Sequence, residues 1–128
     1  MRAVILAAAL SALAAPATAD LRDEAEIRER LLIVGEAEAL VKGCGPIRER
    51  RAVGIQYLWG IARMALARGY TRAEIEAYVE DDAEKERLRA IAQERVAAKG
   101  GTPGDEAALC RLAQAEIAAG SSVGRLLR

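Results

Sequence analysis

The stretch RERRAVGIQYLWGIARMALARG (residues 48–69) decides the fold class of this chain. Between Ala52 and Ala67 only Gln56 and Arg63 are strongly polar, and they lie seven residues apart, on one stripe of a helix. A helix that is apolar on its remaining faces is normally surrounded by packing partners. The segment from about Arg48 to Arg68 therefore reads as the central helix of an all-α domain. Val53, Tyr57, Leu58, Trp59, Ile61 and Leu66 are its expected core residues, and Gly69 is its stop. It is shorter than the ~20 apolar residues needed to cross a bilayer, so no membrane span is expected in the mature chain.

Working outward, Leu, Ala, Arg and Glu dominate and β-branched residues are thin, which favours helices throughout. A first helix is expected from about Asp23 to Lys42, with Ile27, Leu31, Val34 and Val41 near one face. Glu24 with Arg28, and Glu26 with Arg30, are spaced for i,i+4 ion pairs on its wet side. Gly43, Gly45 and Pro46 end it and leave Cys44 in a tight turn. Downstream, Thr71 and Glu74 have the spacing of a capping box, opening a third helix that carries Ile75, Tyr78 and Val79. Asp81 and Asp82 interrupt it and can cap a fourth, about Ala83 to Ala98, amphipathic through Leu88, Ile91 and Val96. Two separate helices and one kinked helix are both open readings of that stretch.

Residues 99–104, KGGTPG, form a loop, and either Thr102 or Asp105 caps a fifth helix running to about Ala119. Leu109, Cys110, Ala113 and Ile117 share a face of it. Gly120-Ser121-Ser122 leads into a short apolar tail, Val123, Leu126 and Leu127. The sum is a compact single-domain bundle of about five helices.

The chain opens MRAVILAAALSALAAPATAD. Arg2 supplies a positive start, Ala3 to Ala15 an apolar run too short for a membrane span, and Ala17-Thr18-Ala19 a small-x-small cleavage pattern. Residues 1–19 thus read as a cleaved signal peptide, with residues 20–128 as a single exported domain in the periplasm. Losing Arg2 leaves 18 basic against 19 acidic residues, a net charge of about −1. Nothing in that balance suggests nucleic acid as a partner. In an oxidising compartment two cysteines in a small domain usually pair. A Cys44–Cys110 disulfide would close a loop of about 67 residues and stabilise the fold by about 4 kcal/mol in the chain-entropy view.

The chain has no histidine. That removes the commonest general base, the usual metal ligand and any Ser-His or Cys-His nucleophile. Two distant cysteines cannot complete a zinc site, and the 99–104 loop lacks the lysine of a phosphate-cradling loop. Glu80, Asp81, Asp82 and Glu84 lack the alternate ligands and central glycine of a calcium loop, and suit a helix start for capping and dipole reasons. Arg48, Arg50 and Arg51 are odder, because positive charge at a helix N-terminus opposes the macrodipole. They read as a solvated face, or as a holder of an anion or of a partner's carboxylates. Trp59 and three tyrosines are too scattered for a base-stacking platform. No catalytic residue, metal ligand or cofactor site is expected.

The leader, Cys44 after the first helix, GYTRAEIEAYVEDDAEKERLRA (69–90), Cys110 and AEIAAGSSVGRLL (115–127) resemble a small exported family of unknown function from alphaproteobacteria related to the rhodobacters. The resemblance implies a helical periplasmic domain with a cysteine pair, and no ligand residues.

These readings lead to a non-enzymatic periplasmic protein that binds another periplasmic or envelope protein, with Arg48, Arg50, Arg51, Val123, Leu126 and Leu127 as its expected interaction surface. The alternatives are a stress chaperone or inhibitor, a carrier of a small hydrophobic ligand, and a hydrolase using paired carboxylates, although nothing selects two acids for that chemistry.

Overall fold

A computed structural model describes residues 19–128, so the apolar run of the expected leader lies outside the described residues. Five helices follow in order: α1 (Ala25–Gly43), α2 (Arg51–Ala67), α3 (Arg72–Glu80), α4 (Asp82–Ala98) and α5 (Glu106–Ala119). Short 3-10 turns stand before and after them at Leu21–Asp23 and Gly124–Leu126. Among the described residues the one extended pairing is an isolated antiparallel bridge between Glu49 and Leu127.

Local chemistry sets most boundaries. Thr71 and Glu74 form the capping box at α3, with the Thr71 hydroxyl accepting from the Glu74 amide and the Glu74 carboxylate accepting from the Thr71 amide. Asp81, with extended backbone, ends α3 and caps α4 through the Glu84 amide, so these are two helices with a one-residue break. Asp105 rather than Thr102 caps α5, accepting from the Ala108 amide at 3.0 Å. Gly120 closes α5 in the left-handed conformation, φ 60°, which costs a glycine little.

The hub is α1, not α2. α1 packs against α4, α5, α2 and both 3-10 turns, while α2 lies on the outside against α1, α3 and the C-terminal turn. Its buried stripe is Ile27, Leu32, Ala37 and Leu40, rotated from the expected Leu31, Val34 and Val41 face. Gly35 lets α4 approach closely, since a Cβ there would meet the Ala92 Cβ at 2.8 Å, and Ala92 is fully buried.

Two apolar clusters result. One gathers Leu40, Cys44, Ile47, Val96, Leu109 and Ala113 with the tail residues Val123, Leu126 and Leu127. The other joins Leu21, Ile27, Ile61, Ala65 and Tyr70. The Cys44–Cys110 disulfide, Cα–Cα 5.1 Å, ties the end of α1 to α5 inside the first cluster.

Three expectations are corrected here. Val53, Tyr57 and Ile61 do face inward, but Leu58, Trp59 and Leu66 are 46%, 62% and 42% exposed. Gln56 and Arg63 are exposed too, so α2 is apolar on a packed face and on a bare one. Val123, Leu126 and Leu127, expected as exposed parts of an interaction surface, are buried, because the tail folds back, pairs with residues 48–50 and covers the disulfide cluster. The expected Glu24–Arg28 pair gives way to a longer-range one, Glu24 with Arg68 of α2, whereas Glu26–Arg30 forms at 3.3 Å.

Candidate functional site

The bare side of α2 borders an apolar trough of ≈ 380 Å³. α2 contributes Leu58, Ile61, Ala62 and Ala65, α1 contributes Ile27 and Leu31, α3 contributes Ile75, Tyr78 and Val79, and α4 contributes Leu88. The i, i+3, i+4, i+7 spacing of the α2 residues puts them in one row. Leu58 and Val79 form bare rims, 46% and 61% exposed, so the trough opens to solvent along α2 and α3.

A polar network holds the α3–α4 corner of the trough. The Tyr78 hydroxyl donates to Glu84 Oε1 at 3.2 Å, and Arg87 donates to both Glu84 oxygens at 2.7 and 2.9 Å. Glu84 is buried, and the Arg87 guanidinium holds its carboxyl below the usual range against the opposing effect of burial. Burial, then the Glu84 charge, pushes the Tyr78 phenol up to about 12, so it remains a hydrogen-bond donor. Arg22 adds an ion pair to Asp81 at the break between the helices. No buried side-chain nitrogen or oxygen among the described residues lacks a hydrogen-bond partner.

A second feature lies at the start of α2. Arg48 and Arg128 exchange both backbone hydrogen bonds, each 2.8 Å, and Arg50 N donates to Leu126 O at 2.8 Å. Arg50 Nη1 donates to Arg125 O at 3.2 Å. The expected trio Arg48, Arg50 and Arg51 is therefore joined by Arg125 and Arg128, all exposed. Arg50 and Arg51 line a smaller groove of ≈ 280 Å³ that also reaches Ile55 and Leu58.

Glu24, Glu29, Asp81 and Glu84 are all held below their ordinary values, by hydrogen bonds from Tyr70, Arg95, the Glu84 amide and Arg87 respectively. Buried Glu36 is paired with Lys99 and Arg95. Among the described residues no three His, Cys, Asp or Glu side chains are grouped as a metal site, and no helix is long and apolar enough to cross a membrane.

The sequence pattern located the arginine trio but assigned the trough residues Leu58 and Ile61 to a closed core. The spacing was visible; whether that face was covered was not.

No curated protein and no solved structure matches this chain. A model described as a family of unknown function, DUF5333, matches residues 19–128, and the chain belongs to that family.

Proposed function

We propose that this chain is an exported, non-enzymatic binding protein of the bacterial envelope, and that its trough takes the apolar side of an amphipathic helix from a partner protein. The observation that carries this reading is the open row of apolar side chains between α2 and α3, with Leu58 and Val79 bare at its rims. An apolar groove left open on a folded domain is a common form of interaction site. A helix laid in such a groove buries its i, i+3, i+4 anchors against it. Export is supported by the residue 1–19 leader pattern and fits the Cys44–Cys110 disulfide; residues 20–128 are then the working domain.

The test is a photoreactive amino acid placed at position 58 in the native host. A discrete adduct is expected there and none from position 106, exposed on α5. Ala62→Asp, which places a charge in the trough wall, should remove the adduct. Equal, diffuse labelling from both positions overturns the reading.

A second reading, a carrier of a small hydrophobic ligand, is favoured by the trough volume of ≈ 380 Å³, inside the ~300–1,000 Å³ of ligand sites. Solvent extraction of protein purified from its host would then release a stoichiometric apolar compound, and the helix reading releases none.

A further inference from the structure

The outward crest of α2 runs beside the trough wall formed by Ala62 and Leu58. At 100° per residue Ile55, Trp59 and Leu66 fall on one side, and they are 48%, 62% and 42% exposed, with Ile55 bordering the groove against α1. Arg51 and Arg63 stand at its shoulders, both exposed. From Arg50 to Ala73 the sequence contains no Asp or Glu. At the N-terminal end of α2 the folded-back tail adds Arg125 and Arg128 to Arg48, Arg50 and Arg51.

Holding like charges opposite one another across a paired backbone is unfavourable without a counter-charge. At several other places the chain supplies one: Arg22, Arg68, Arg87 and Arg95 each meet a carboxylate. Among the described residues the arginines at this end meet none within 4.0 Å, and Glu49 is the one acid in the 48–51 run. The chain is close to neutral as a whole, so this is a local positive field set against a net negative remainder.

We propose that the α2 crest and this arginine end form a docking face for an anionic phospholipid surface, with α2 parallel to the membrane plane and Trp59 at headgroup level. Apolar residues and a tryptophan on a convex helix face, with arginines on the shoulders and no acid between, complement a plane that is apolar within and negative at its surface. A second copy of the chain fits poorly, since α2 against α2 in a twofold contact brings arginines onto arginines. A protein helix is better served by the concave trough beside it. The proposal rests on the crest and not on the trough reading.

The test uses mature protein, residues 20–128, with equimolar phosphatidylglycerol–phosphatidylcholine vesicles and with phosphatidylcholine alone. Cosedimentation and a blue shift of Trp59, the single tryptophan, are expected with the anionic vesicles only. Binding should fall about tenfold between about 0.05 and 0.5 M salt. Trp59→Ser and the double variant Arg50→Glu/Arg51→Glu should each lower sedimentation about tenfold while melting as the parent does. Equal sedimentation with both vesicles, or no effect of the charge reversal, overturns the proposal. So does protection of Trp59 from acrylamide by poly-glutamate but not by anionic vesicles, which would assign the face to an acidic protein.

Discussion

The Lys99 Nζ lies 2.6 Å from Oε2 of Glu36, joining the end of α4 to the middle of α1. Glu36 is 3% exposed and Lys99 41%, so the two partners are not equivalent. Arg95 is the other cation near Glu36, at 3.6 Å. Lys99→Met should leave a buried carboxylate underpaired and cost about 2 kcal/mol, whereas Glu36→Leu leaves Lys99 half-exposed and still paired with Glu116 at 3.4 Å, and should cost less or nothing. Urea midpoints of the two variants give the comparison; equal losses would mean that Glu36 is better hydrated than its burial indicates.

The disulfide joins residues 66 apart in sequence. Constraining a loop of that length in the unfolded chain stabilises the native state by about 4 kcal/mol, a large share of the 5–15 kcal/mol typical of a domain. Reduced protein, or the Cys44→Ala/Cys110→Ala variant, should therefore unfold at a much lower urea concentration with its helices intact beforehand. Far-UV circular dichroism with and without reductant measures this. A midpoint that ignores the reductant would show that the staple adds nothing to the packing around it.

Acid should act through carboxylates alone, because the chain has no histidine. Glu24 is held below its ordinary 4.5 by the Tyr70 hydroxyl and then Arg68, Glu29 by Arg95, and Glu84 by Arg87. Asp81 is held below 3.8 by the Glu84 amide and then Arg22. Groups with a lowered folded pKa contribute stability that is complete above their unfolded values and disappears as pH falls through the folded ones. The urea midpoint should be flat from about pH 8 to about pH 6 and decline below about pH 4.5. Glu24→Gln should lower the plateau and flatten the decline. A step between pH 6 and 7 would contradict this assignment.

How much of this was readable in the residues depends on how far the deciding contact lies along the chain. The Thr71–Glu74 box, the Asp81 break and the Asp105 cap are set within a few residues, and local spacing located each of them or narrowed it to two candidates. The cysteine pair was readable because only one pairing exists. The role of α2 was not readable. Ile61 faces the second apolar cluster and Trp59 faces solvent, yet both are large apolar residues two positions apart on one helix. Periodicity reports where apolar residues sit, and only the placement of α1, α3 and α4 decides which of them are covered. The tail is a similar case. Val123, Leu126 and Leu127 look like a loose apolar end until the pairing with residues 48–50 turns them under the disulfide and leaves Arg125 and Arg128 outside. Glu36 gives no local sign of burial, since Lys99 is 63 residues away.

The two-sided character of α2 can be measured with two substitutions. Ile61 is 6% exposed and packs with Leu21, Ile27, Ala65 and Tyr70. Ile61→Ala removes buried methyl groups and leaves a cavity, so it should cost about 2–5 kcal/mol. Trp59 is 62% exposed, and Trp59→Ser should move stability by no more than about 0.5 kcal/mol despite the much larger side chain removed. If α2 were the enclosed central helix that its composition suggests, both losses would be large, because truncating a buried tryptophan costs about 3–5 kcal/mol. Paired urea denaturation of the variants, with equal slopes as the check on two-state behaviour, decides between these arrangements. A small loss at Trp59 beside a large one at Ile61 also means that the bare face is not retained for folding, which is the condition for assigning it to recognition.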